Sequence, residues 1–242
     1  MQRTVSADLG ATTIAGTQVV LSLAVAAPAA YASVEEELTV LVDGEPAEVR
    51  EYQERDGTRL HLLTTPRASS LDVRYHAVVT GRAEPAPHDD VDLVRYVRPS
   101  RYCASDVILP TAYAQFPDVG GVDLVQAVRD WVGAELAYVP GSSRFTDGAV
   151  ETLLARRGVC RDYAHLVIAL LRARDVPARL ASVYAPGLAP RASMLRIATG
   201  RDATDTAFLS TVGGSLQLSR LEVTATVDEL PVERSGERLT VR

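Results

Sequence analysis

The chain contains no lysine; all 25 of its basic residues are arginine. We read this first as a genomic bias, but it also means that no side-chain amine is available for acyl-transfer chemistry. Cysteine is nearly absent. Cys103 and Cys160 cannot form a disulfide scaffold in 242 residues, and they do not make a C-x-x-C pair. Too few ligands remain for a structural zinc site, and no metal or cofactor is expected. No basic stripe offsets the net charge of −6, which argues against nucleic acid as a partner. No apolar run is long enough to span a bilayer, so no membrane partner is expected either. Histidine occurs four times, at positions 61, 76, 88 and 165, and never after His165.

One segment imitates an export signal: "VVLSLAVAAPAAYAS", residues 19 to 33, ends in the cleavage-like triplet Ala30-Tyr31-Ala32. Its flank is wrong, because eighteen residues precede the run and carry Arg3 against Asp8 rather than a basic cluster. A buried strand ending at Pro28 fits better, and a cytoplasmic location follows as the expectation.

What is present divides in two. Residues 1 to about 82 read as β structure, with strand-length runs separated by turn signals such as "DGEP" at 43–46. In "SLDVRYHAVV", Leu71, Val73, Tyr75 and Ala77 alternate with Asp72, Arg74 and His76, the period of a half-buried strand. A small sandwich or barrel is expected. The Pro- and acid-rich stretch 81–92 reads as a linker, which places a boundary near residue 95 between a β-rich unit (1–95) and a second unit (96–242).

Helices come next. Leu124, Val125, Val128, Trp131, Val132 and Leu136 fall at helical spacing, with Gly121 or Asp123 near the cap. A short helix follows, for which Asp147 is the expected N-cap. A third begins at Cys160 and is apolar nearly all round, the profile of a buried helix. After it "ARLASVYA", "TAFLSTV", "SLQLSRLEVTATV" and "ERLTVR" read as strands. The class is α+β.

Cys160 follows a Gly158-Val159 turn, opens its helix, and lies between Arg157 and Arg161. Free N–H groups at a helix start and nearby guanidinium groups favour a thiolate. A buried, inert cysteine is the alternative, since cysteine is among the residues most often buried. For Cys103 in "RPSRYCASD" no helix start adjoins the thiol, and a packing role is expected.

Residues 95 to 188, above all "GVCRDYAHLVIALLRARDVPARLASVYAPG", resemble a bacterial transglutaminase-like protein of the papain-like thiol superfamily. The resemblance rests on a G-x-C-x-D-Y-A turn, on an R-x-x-x-V-P-A-R segment, and on the two-helix lead-in "LAYVPGSSRFTDGAVETLLARRG". It implies an N-terminal antiparallel β-domain before a core whose nucleophile helix packs on an antiparallel sheet. It makes Cys160 the nucleophile of a Cys-His-Asp triad, with protein or peptide amides as substrates. Asp162 and Tyr163 match positions that shape the turn and carry no chemical role.

Relatives continue past the "YAPG" turn with a strand bearing the catalytic histidine and a second bearing the aspartate. Here "YAPGL" runs straight into "APRASMLRIATGRDATDTAFLS". The family pattern thus lacks its two partner-bearing strands, roughly 20 residues. His165 cannot substitute: five positions along a helix it points about 140° away from Cys160. His61 and His76 fall in the β-rich unit and His88 in the linker. Asp202 and Asp205 could face the site but cannot replace an imidazole. The expectation is an acyl-transfer or peptidase-type protein impaired in activity, or else a scaffold or protein-binding module. Loss of two sheet strands should also expose one side of the helix, draw the C-terminal strands into the gap, or call for a partner or second copy.

Overall fold

The structure is a computed structural model, and the residues it describes are 1–55, 57–83, 90–144, 146–181, 184 and 209–228. The chain opens with β1 (Gln2–Thr13), β2 (Thr17–Leu21), β3 (Ser33–Val42), β4 (Glu45–Pro46), β5 (Arg50–Gln53), β6 (Arg59–Thr65) and β7 (Ser69–Thr80). Helices α1 (Asp90–Tyr96), α2 (Leu109–Gln115) and α3 (Gly121–Glu135) follow, then the short strand β8 (Ala137–Tyr138), helix α4 (Ala149–Ala155), strand β9 (Arg157–Gly158) and helix α5 (Cys160–Arg172). Strands β10 (Leu209–Val212) and β11 (Leu216–Val227) end the described chain.

Two antiparallel sheets share one core. Their strand orders are β11-β1-β7-β3-β4 and β10-β2-β6-β5. The alternation expected in β7 is realised: Leu71, Val73, Tyr75 and Ala77 are buried, while the residues between them face outward or sit half-buried. They meet Val5, Ala7 and Leu9 of β1, and Val19, Leu21 and Leu63 across the gap between the sheets. The run that imitates an export signal belongs to this core through Val19, Leu21 and Leu23. Its strand stops at Leu21 rather than Pro28, and the segment up to Pro28 is not strand.

A polar chain ties the sheets together at one end. The Tyr75 hydroxyl donates to Glu36 at 2.6 Å and accepts the Val25 N–H at 2.8 Å. Arg59 then joins Glu36 to Glu51, which also meets His61 Nε2 at 3.1 Å.

The C-terminal strands correct one expectation. They do not slide in beside the cysteine helix; β11 pairs along β1, from Arg3 opposite Val227 to Thr13 opposite Leu216, and β10 pairs with β2. Residues 209–228 therefore pair with the first sheets. The sequence pattern gives the reason. Leu218 and, past a one-residue bulge opposite Gly10/Ala11, Leu221, Val223 and Ala225 turn inward and complete the sandwich core beside β1. Nor is a side of α5 left open: every residue from Ala164 to Leu171 is buried.

The helices form a second core. Leu124, Val128 and Val132 of α3 pack against Leu166, Leu170 and their neighbours on α5, with Cys103 and Ile108 alongside. Val125, expected on the apolar stripe, faces out. Helix α3 is capped at Gly120, and α4 at Gly148 rather than Asp147. The Gly148 N–H donates to Glu151 at 2.9 Å, while Asp147 accepts from the Arg144 N–H instead. Helices α1 and α2 were not expected from the sequence. Residues 178–181 of "ARLASVYA" are not strand, and "ERLTVR" lies outside the described residues. The stretch where an antiparallel sheet would meet α5 lies largely outside them as well.

Candidate active site around Cys160

Cys160 stands at the first turn of α5, and a dense set of bonds fixes that turn. Strand β9 runs parallel to β8 with Tyr138 opposite Gly158, and Val139 N–H donates to Gly158 O at 3.1 Å. Asp162, 1% exposed, folds back over the turn. Its Oδ2 accepts the Val159 N–H at 2.8 Å and its Oδ1 accepts the Ser143 hydroxyl at 2.8 Å. A carboxylate three residues into a helix, bonded to the N-cap amide, satisfies a donor that the helix itself cannot.

Gly158 exists for that carboxylate. A Cβ on it would lie 2.6 Å from Asp162 Cβ and 2.7 Å from Oδ2, closer than real contacts allow. The Gly-x-Cys-x-Asp spacing is therefore a packing requirement. Arg161 locks the neighbouring loop by donating to Ser143 Oγ at 2.6 Å and to Arg144 O at 2.9 Å. At the far end of the helix the Arg172 guanidinium clasps Ala178 O at 2.8 and 2.6 Å, which accounts for the arginine of the R-x-x-x-V-P-A-R segment.

The thiol is half-buried. Its hydrogen-bond partner is the Tyr138 hydroxyl, 3.8 Å from Sγ, long but within range for sulfur. The Tyr163 hydroxyl donates to Leu136 O at 2.7 Å, consistent with a turn-shaping role.

No described histidine bonds to the sulfur. His165 is 6% exposed and lies flat on Tyr102, ring centres 5.1 Å apart and planes 9° from parallel. Burial, reinforced by the charge of Arg161, pushes its pKa down to about 4. Its Nδ1 has no partner. This is a packing histidine, as its place on the helix implies. His61 is held by Glu51 in the sandwich, and His76 is exposed on β7. His88, Asp202 and Asp205 lie outside the described residues. Cys103 is buried in the helical core, where desolvation raises its thiol pKa. Among the described residues no cluster of three or more His, Cys, Asp or Glu side chains could hold a metal. Tyr138 and Ser143 went unnoticed in the sequence because only contacts in space single them out; "LAYVPGSS" carries no local mark of either role.

The family model for the transglutaminase-like superfamily matches residues 115–209, from the end of α2 through α5 to the start of β10. The match takes in α3, α4 and α5 with Cys160, so this part of the chain is similar to the transglutaminase-like superfamily. The whole described architecture has a solved counterpart in a candidate cysteine protease from Cytophaga hutchinsonii. That structure superposes with a TM-score of 0.76 at 26% identity, covering 96% of this chain and 92% of that one. An uncharacterized protein of Mycobacterium leprae is 37% identical over 60 residues, and an uncharacterized protein of Mycobacterium tuberculosis is 42% identical over 64. Each of these two matches covers 25% of this chain but only 22% and 20% of the mycobacterial proteins. The chain thus aligns with about a fifth of the length of those relatives. No helix among the described residues is long and apolar enough to cross a membrane.

Proposed function

We propose that this is a cysteine acyl-transfer or peptidase-type protein of the transglutaminase-like class, built to act on protein or peptide amides through Cys160, whose turnover is impaired or lost. One observation supports the reading: a thiol at a rigid helix start that, among the described residues, meets a tyrosine hydroxyl and no imidazole. Loss of general-base assistance costs roughly 10²–10⁴-fold in rate. The cytoplasm is the proposed location, because the signal-like run supplies core residues of the sandwich.

Two assays on the full chain test this. Mass spectrometry after iodoacetamide treatment should find Cys160 modified ahead of Cys103. Fluorogenic peptide amides and a glutamine-peptide amine-incorporation assay should show negligible turnover, with little change in Cys160→Ala. Robust turnover that vanishes in Cys160→Ala would refute the impaired activity while keeping the nucleophile. Its loss in His88→Ala as well would locate the base.

A second reading is a non-enzymatic scaffold or protein-binding module, favoured by the burial of α5 from Ala164 to Leu171, which makes the helix a core element whatever Cys160 does. A specific partner retained equally by the wild type and Cys160→Ala would support it; retention lost on that substitution would count against it.

A further inference from the structure

Tyr138 is held beside the sulfur from three directions. Its backbone is in register with Gly158 through the β8–β9 ladder, two residues before Cys160. Its ring leans on that of Tyr163, 6.3 Å away at 48°, and Tyr163 is itself anchored through its hydroxyl to Leu136 O. Its own hydroxyl then meets Sγ at 3.8 Å. Neither the ladder nor the ring contact needs that hydroxyl; a phenylalanine would satisfy both.

We propose that Tyr138 is a positioning residue that aims the Cys160 sulfur and stabilises its thiolate. This rests on the reading of Cys160 as the nucleophile. A phenol can both donate and accept. It accepts from S–H while the thiol is protonated, and turns to donate to sulfur once the proton leaves. Bonds to a charged acceptor are roughly twice as strong as neutral ones, so the contact favours the thiolate. With no imidazole at the sulfur among the described residues, this hydroxyl takes over part of the work of holding the charged sulfur.

Among the described residues, the charged and titratable groups on the elements that frame the turn are Arg161, Asp162, Tyr163, His165 and Arg172 of α5, Arg157 of β9, Arg144 and Asp147 after β8, and Glu151 and Arg156 in and just after α4. None is altered by removing one hydroxyl. The test is the pH dependence of iodoacetamide alkylation, read peptide by peptide in the full chain, for wild type, Tyr138→Phe and Tyr163→Phe. Tyr138→Phe should move the midpoint for Cys160 upward by about half to one pH unit, slowing alkylation below the midpoint about three- to ten-fold. Tyr163→Phe, which loses a hydroxyl bonded to backbone instead of sulfur, should leave the midpoint in place. Midpoints unchanged in Tyr138→Phe, or moved equally in both variants, overturn the positioning role while Cys160 stands as the reactive thiol. A wild-type Cys160 no more reactive than buried Cys103 overturns both readings together.

Discussion

Acid should weaken the helical core through one side chain, His165. Its ring is buried against Tyr102, with a pKa lowered from an ordinary 6.5 to about 4. In the unfolded chain the imidazole takes up a proton near its ordinary value; in the folded chain it resists until well below. The stability it contributes is therefore complete above pH 6.5 and is lost as the pH falls toward 4. With those two values, lowering the pH from 7 to 5 should cost about 2 kcal/mol from this group alone. His165→Phe keeps a flat ring on Tyr102 but cannot titrate. Trp131, the single tryptophan, packs edge-on to Phe116 in the same core and reports its unfolding by fluorescence. Urea titrations at both pH values should show wild type losing about 2 kcal/mol more than His165→Phe. His61, also lowered chiefly by burial, and the carboxylates are common to both proteins and cancel in the comparison. Parallel losses in the two proteins would show that His165 is not held neutral by its surroundings.

Three other outcomes follow from the packing. Gly158→Ala should destabilise the helical core by about 2 kcal/mol or more, because its Cβ displaces the Asp162 cap; urea unfolding followed at Trp131 measures it. Tyr75→Phe should cost about 1–3 kcal/mol, since the half-buried Val25 N–H loses its acceptor and Glu36 a donor; far-UV circular dichroism during thermal unfolding checks it. A fragment of residues 1–95 should fail to unfold cooperatively, as it lacks the β11 partner of β1 and the β10 partner of β2. A sharp transition from that fragment would show that the first sheets do not depend on the C-terminal strands.

Much of this was legible from local pattern alone. The period-two run in β7 gave its inward face residue by residue, and the apolar profile of 160–172 gave a helix buried nearly all round. Capping was read less well. Asp147 looked like the start of α4, but its carboxylate turned back to Arg144, and Gly148 with Glu151 took the position. Where the C-terminal strands dock was hidden for a different reason. Alternation in β11 states that one face is apolar without naming the strand beside it, and the choice of β1 is made by a core assembled from distant segments. At the site, the motif spacing pointed to Cys160 and to a turn around it, whereas Tyr138 enters through a two-residue parallel ladder too short to leave a trace in the sequence.

The pairing of β1 with β11 also sets a clock on biosynthesis. Asp8 and Arg220, bonded across that ladder, are separated by 212 positions. At ribosomal speeds of about 5–20 residues per second, β1 waits roughly 10–40 seconds for its neighbour to emerge. In that interval one flank of the nascent sheet is an open template for any extended chain nearby, while the helical segment, whose contacts are closer in sequence, can already have condensed.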